Sequence, residues 1–302
     1  MNIERLSLDQ LRVFSRVAEA GSFTKAAESL NRAQSAVSYA IGNLEQQLGV
    51  SLFDRSGYRP KLTRAGTSLL RDARDVLERS DRLLARAQGL GAGLEEELAI
   101  ALDVMFPQEV FVKLAREFQG RFSTVDLRIY TDILGAIPEH LLAGTCRLGV
   151  TCSLPRLPTG LTGHAMPPIA LVPVAAPDHP LARIGRAVMD VELHDHVQLV
   201  VTDRSRRTEG KDFGVYSSRT WRLSDLWTKH QFLLEGMGWG FLPAHIARPE
   251  LESGRLARLE LAQHAGEETL PVFLAQPTGL PVGPAQGWLA ERLGGLREYP
   301  GG

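Results

Sequence analysis

Cysteine is nearly absent. The 302 residues hold two, Cys146 and Cys152, too few for a disulfide framework or a cysteine-built zinc site. With Arg147 to Thr151 read as a strand, the pair would lie near its ends, roughly 20 Å apart at about 3.3 Å per residue. A bridge between them would need that segment refolded. Long apolar runs are also missing. No stretch of eighteen apolar residues occurs, so no membrane span is expected. Met1 to Gln10 mixes charges where a signal peptide would carry an apolar core, and the expected location is cytoplasmic.

Catalytic signatures are missing as well. The eight histidines are His140, His164, His179, His194, His196, His230, His245 and His264, and none stands in His-Glu-x-x-His spacing. His194-Asp195-His196 is compact, but residues two apart on a helix do not face together. On a strand they would, yet no third ligand is evident, and the trio reads as surface loop. There is no Gly-x-Ser-x-Gly elbow and no Gly-x-x-x-x-Gly-Lys-Ser/Thr loop. Gly236-x-Gly238-x-Gly240 falls short of the dinucleotide-binding spacing. No enzymatic activity, metal or cofactor is expected. A hydrolase-like α/β enzyme stays as a competing reading with little behind it.

An excess of charge is lacking overall, at a net −1, but the balance is uneven. Residues 1–90 carry 14 Lys+Arg against 10 Asp+Glu, and the remainder 20 against 25. A basic head on an acidic body suits a nucleic-acid binder with a separate sensing part. The length allows two or three domains.

What is present concentrates in residues 8–64. Leu8, Leu11, Phe14, Val17 and Ala18 share one face of a helix from Leu8 to Ala20, which Gly21 ends. Thr24, or less favourably Ser22, can cap a second helix running to about Leu30. Asn31 to Gln34 supplies a turn. A third helix runs from about Ser35 to Leu48, with Val37, Ile41, Leu44 and Leu48 as its buried stripe. Its other face begins Gln34, Ser35, Ser38, Tyr39, side chains suited to base edges and phosphates. Leu52 to Arg64 holds Arg55, Arg59, Lys61 and Arg64, a basic wing for a sugar-phosphate backbone, and Arg55 could enter a minor groove. The bland alternatives are a solvated helix face and a basic surface loop.

The run from Val17 to Ala27, with Gln34-Ser35-Ala36-Val37-Ser38, Leu44-Glu45, Leu48-Gly49, Leu52-Phe53, Leu62-Thr63 and Ala65-Gly66, resembles the LysR-type transcriptional regulators. Tyr39 departs from the Arg, Lys or Gln that members often carry there. The resemblance implies an α/β protein with an N-terminal winged helix-turn-helix (residues 1–62), a dimerising linker helix (63–88) and a hinge (89–93). A two-lobed effector domain of the periplasmic-binding-protein kind (94–302) would follow. Lobe I would span about 94–154 and 268–302, and lobe II about 160–262, with crossings near Thr151–Leu161 and Leu261–Leu270. Implied partners are operator DNA carrying an interrupted inverted repeat, a small-molecule effector, further copies of the chain as a dimer or tetramer, and RNA polymerase. The DNA contacts would fall on Thr24, Gln34, Ser35, Ser38, Tyr39, Arg55, Arg59 and Lys61.

The residues themselves support the long helix and the α/β body. Thr63 to Gln88 has no proline and carries an apolar stripe of Leu69, Leu70, Ala73, Val76, Leu77, Leu83, Leu84 and Ala87. A second copy would cover that stripe, although packing on its own chain is an alternative. Gly89 to Gly93 contains three glycines and reads as the hinge. Beyond it, strand-like and helical runs alternate, which argues for parallel sheet flanked by helices. Ligands in such sheets sit beyond the C-terminal strand ends. That places effector candidates at Asp103, Met105, Phe106, Thr131, Asp132, Cys152 and Ser153, and in the second lobe at Thr202, Asp203, Ser205 and Trp239. Hydroxyls with helix-end amides suit a carboxylate, and Met105, Phe106 and Trp239 suit an apolar or aromatic body. An architectural DNA-binding protein with no effector is the third reading, disfavoured by some two hundred residues that DNA binding does not need.

Overall fold

The computed structural model describes residues 6–57, 59–152, 156–203, 205, 214–262 and 268–299. The chain divides into two compact units, Met1–Gly91 and Ala92–Gly302.

The first unit opens with α1 (Leu8–Ala20), started by a Ser7/Gln10 capping box and closed by Gly21 in the left-handed conformation. α2 spans Phe23–Ser29. Its cap is Ser22, whose hydroxyl accepts from the Lys25 amide, and Thr24 lies exposed inside the first turn. The preference for Thr24 as cap is thus corrected by one turn geometry: the extended residue before the helix is Ser22. Asn31 takes a positive φ of 52 in the turn, a conformation asparagine tolerates better than most residues. α3 follows (Gln34–Leu48), burying Val37, Ile41 and Leu44. The strands β1 (Phe53–Asp54) and β2 (Lys61–Leu62) pair antiparallel as a small wing. Glu45 ties the wing to α3, its Oε1 accepting the amides of Leu52 and Phe53. Phe53 meets Phe14 and Phe23 edge-on at 5.6 Å each, closing the core.

α4 runs Arg64–Gly91, about 42 Å at 1.5 Å per residue. The helix therefore continues through Gly89, Leu90 and Gly91, which the sequence assigns to the hinge. Glycine weakens a helix by only about 1 kcal/mol per residue, too little to end one already propagating. Its apolar stripe divides. Ala73, Leu69, Leu70 and Leu77 join the first unit's own core. Val76, Leu83, Leu84 and Leu90 are exposed, Leu83 by 68% and Leu84 by 54%. The start of the stripe packs on its own unit, and its end is left uncovered.

The second unit contains β3 (Glu97–Asp103), α5 (Gln108–Arg121), β4 (Asp126–Asp132), α6 (Ala136–Leu142), β5 (Leu148–Cys152) and β6 (Leu161–Ala175). α7 (Asp190–Leu193), β7 (Gln198–Val201), β8 (Thr220–Leu223), α8 (Leu226–Leu234), β9 (Trp239–Pro243) and α9 (Ala244–Glu252) follow. β10 (Ala257–Arg258), β11 (Glu268–Pro277) and α10 (Pro284–Gly294) complete it. The sheet order is β4-β3-β5-β11-β6-β9-β7-β8, with β10 beside β6. β3 pairs in parallel with β4 and β5, and β7 with β8 and β9. Between these parallel halves runs an antiparallel ribbon of β6 and β11, whose register shifts between Leu270 and Val272.

Where the sequence puts the crossings near Thr151–Leu161 and Leu261–Leu270, the pairing changes sides inside β6 and β11, where Pro167, Pro168 and Pro271 cluster. Leu161 to Met166 pairs on the β5 side, while Leu171 to Ala175 pairs with β9. Glu268 and Thr269 stand opposite Leu171 and Ala170. Proline gives no amide to a ladder and reads as a strand breaker. Here the prolines fall where the β6–β11 register shifts, inside strands that continue.

Candidate nucleic-acid interface and ligand cleft

On the first unit, the N-terminal edge of α3 faces solvent. Gln34, Ser35 and Tyr39 are exposed, Tyr39 by 72%, and Ser38 is half-buried. Residues 34 and 38, and 35 and 39, are four apart, so the set shares one face. The N-cap residue Ala33 makes no side-chain cap bond, which leaves the first amides of α3 open to an anion. Arg59 and Lys61 are exposed on the wing and form no ion pair among the described residues. Arg55 is more constrained. Its guanidinium meets Glu45 Oε2 at 3.1 Å and lies over the Phe23 ring at 5.0 Å. It braces the wing against α2 and α3 with the rest of its surface outward. Arg32 also has a structural duty, a bidentate pair with Asp9 at 2.8 Å for each bond.

On the second unit, the strand ends surround two cavities. The smaller, 340 Å³, lies between the C-terminal end of β3 and the β7 and β9 ends. Met105, Leu134, Leu199, Val201, Leu270 and Pro271 give it apolar walls. The larger, 610 Å³, opens beside the start of α5, and Phe106, Thr131, Trp227, His230 and His245 contribute to its lining. Of the effector candidates, Met105 lines the first cavity and Phe106 and Thr131 the second.

The other candidates lie elsewhere. Asp103 is buried and ties three segments together: its carboxylate accepts the amides of Met105 (3.0 Å), Cys152 (3.0 Å) and Leu134 (3.4 Å). Burial pushes its pKa up to about 7 against the pull of those three amides. Asp132 accepts its neighbour Ile133's amide and faces His140 Nε2 at 3.4 Å. The Cys152 thiol is wholly enclosed, and burial pushes it and Cys146 upward, Cys146 to about 11. Both thiols are free and buried, the condition of unreactive cysteines. The Thr202 amide donates to Leu223, and Ser205 donates to Asp203 at 2.6 Å. Trp239 is fully enclosed, 5.9 Å from Phe241 in a core with Ala175 and Leu181. Asp103, Cys152 and Trp239 are buried and line neither of these two cavities. Ser153 lies outside the described residues.

The sequence reading missed the polar groups of the smaller cavity, Gln198, Lys229 and Glu268. Gln198 is engaged, its Oε1 accepting from the Tyr216 and Ser217 amides and its Nε2 donating to the Gly214 carbonyl. Lys229 is 4% exposed, and its Nζ donates to the Phe241 carbonyl at 2.6 Å. Burial pulls its pKa down to about 7. A signal was there: Lys229 sits three residues after Leu226 and four before Leu233, a cation inside an apolar helical stripe.

Asp103 carries a prediction. Asp103→Asn sets an amide NH₂ against one of three backbone N–H groups, an unsatisfiable contact costing about 2 kcal/mol. The wild-type carboxyl holds its proton in the folded state up to about pH 7, whereas the unfolded one releases it near pH ~4. Its contribution to stability is therefore complete below pH ~4 and falls as pH rises to about 7. Chemical denaturation at pH 5 and 7 should show a less stable variant that has lost this part of the pH dependence.

Comparison with known proteins agrees with this geometry. Residues 8–67 match the family model described as a bacterial regulatory helix-turn-helix protein of the lysR family, and residues 91–296 match the LysR substrate binding domain. The chain is 31% identical over 253 residues to the probable HTH-type transcriptional regulator YhaJ of Escherichia coli K12, covering 83% of this chain and 85% of that protein. A Corynebacterium glutamicum OxyR C206 mutant shares the fold at a TM-score of 0.51 and 24% identity, over 97% of this chain and 93% of the other. CrgA from Neisseria meningitidis, a LysR-type transcriptional regulator, does so at 0.51 and 22%, over 96% and 100%. The chain belongs to the LysR family of DNA-binding transcriptional regulators, with a helix-turn-helix head and an effector-binding body. No helix among the described residues is long and apolar enough to cross a membrane.

Proposed function

We propose that the chain acts in the cytoplasm, without enzymatic activity, as a homo-oligomer. It would be dimeric through the exposed end of α4 and bind an interrupted inverted repeat in a promoter. The exposed edge of α3 from Gln34 to Tyr39 is the observation that carries this reading. Gln34, Ser35 and Ser38 meet base edges in the major groove. Tyr39, Arg59 and Lys61 hold the phosphates, with Thr24 at the rim and Arg55 positioning the wing. A small effector occupies the 340 Å³ cleft around Met105. By favouring one arrangement of the two sheet halves, it would alter how the DNA-bound heads are spaced or how they bend the duplex. RNA polymerase is the partner through which such a change reaches transcription.

Salt titration of binding to the intergenic duplex beside the chain's own coding sequence tests the wing. Each lost phosphate contact should lower the log–log slope by about 0.9. Arg59→Ala and Lys61→Ala are expected to show that full drop. Arg55→Ala should weaken binding and flatten the slope less, because Glu45 and Phe23 hold its guanidinium. Slopes unchanged in all three variants would remove the wing from the interface.

A further inference from the structure

β7 and β9 pair in parallel at Gln198 and Trp239. The Lys229 side chain packs beside Gly240 of β9. Gly240 makes room for it: a Cβ there would lie 2.7 Å from the Leu199 carbonyl and 3.2 Å from Lys229 Cε. An ammonium has three donors, and only the one to Phe241 is matched among the described residues. Glu268 lies on the same cavity, one strand beyond β6. Its Oε1 accepts from the Tyr216 hydroxyl at 3.0 Å, while its buried Oε2 has no partner among the described residues. Lys229 and Glu268 are the charged side chains of this lining and form no ion pair with each other among the described residues.

We propose that the cleft binds an amphoteric small molecule, an amino acid whose carboxylate meets the Lys229 ammonium and whose ammonium meets Glu268 Oε2, with its hydrocarbon part against Met105, Leu134, Leu270 and Pro271. This rests on the cleft being the effector site. A buried donor or acceptor without a partner is costly, and this cleft holds one group of each sign, so the ligand that completes both carries both signs and no net charge. A simple carboxylate would leave Glu268 unmatched and repel it. A simple amine would do the same to Lys229. The volume sits at the low end of the range for small-molecule sites, about 300–1,000 Å³, which suits a compact ligand.

The test uses the full chain and titration calorimetry. The probes are the twenty α-amino acids and the ω-amino acids from β-alanine to 6-aminohexanoate. Each is matched with the carboxylic acid lacking the amine and the amine lacking the carboxylate. At least one amino acid is expected to bind about tenfold or more tightly than both of its deletion partners. The α and ω series report how far apart the two charges must stand. Lys229→Met should abolish its binding, and Glu268→Gln should erase its advantage over the deaminated acid, both read in variants that still melt cooperatively. The proposal is overturned if no amino acid binds, if a deaminated acid binds equally well, or if either variant binds as the wild type does. A monocarboxylate that binds, and is expelled when Met105→Trp fills the cavity, would leave the cleft as the effector site while removing the charge pairing. Ligand binding indifferent to Met105→Trp would remove the cleft itself.

Discussion

A chain carrying Leu83→Arg together with Leu84→Arg is expected to sediment as a monomer and to bind its operator about a hundredfold or more weakly, because two half-sites can no longer be engaged at once. Both leucines are exposed on α4, by 68% and 54%, beyond the part of that helix that packs on its own unit. Covering an exposed leucine contributes about 1.5–3 kcal/mol, and a symmetric pair covers each twice. Arginine removes that term and sets like charges face to face. The head's fold should survive, since the core residues of α4 are Ala73 and its neighbours Leu69, Leu70 and Leu77. Sedimentation velocity and fluorescence anisotropy read the two effects separately. A variant that stays dimeric would place the oligomer contact elsewhere.

Ser38→Arg should be at least as severe on DNA and silent on assembly. The side chain sits one turn after Gln34 and Ser35 on the exposed edge of α3. A guanidinium there holds the helix off the base edges and removes hydrogen bonds that discriminate by about 1–3 kcal/mol each. Specific affinity should fall toward the non-specific level, a drop on the order of a thousandfold. Non-specific, salt-sensitive binding should remain, since the added charge favours phosphates. A dissociated oligomer, or a lost melting transition, would mean that Ser38 supports the structure and not the interface.

The head was legible in the sequence because local rules determine it. Helical periodicity placed α1 and α3 nearly to the residue, and Gly21 and Gly49 mark their ends in the left-handed conformation. The error over Thr24 and Ser22 is of two residues, within what capping chemistry alone can distinguish. The body was legible as alternating strands and helices, but not as a sheet crossed by a ribbon, because Pro167, Pro168 and Pro271 imitate loop signals inside β6 and β11. The proposed effector site was the least legible. Strand ends point to the region of the two cavities, yet whether a side chain faces cavity or core depends on register and on partners far along the chain. Asp103 shows this, since two of its three amide partners, Leu134 and Cys152, come from other strand ends. Glu268 shows it too, entering the cleft from the far end of the sequence.

Selection of bound duplexes from a random-sequence pool by the full-length chain tests the central claim most directly. The account predicts an enriched interrupted inverted repeat, two half-sites related by a dyad, whose enrichment disappears with Ser38→Arg. An enriched sequence without dyad symmetry, or one retained by the Ser38→Arg chain, would contradict it.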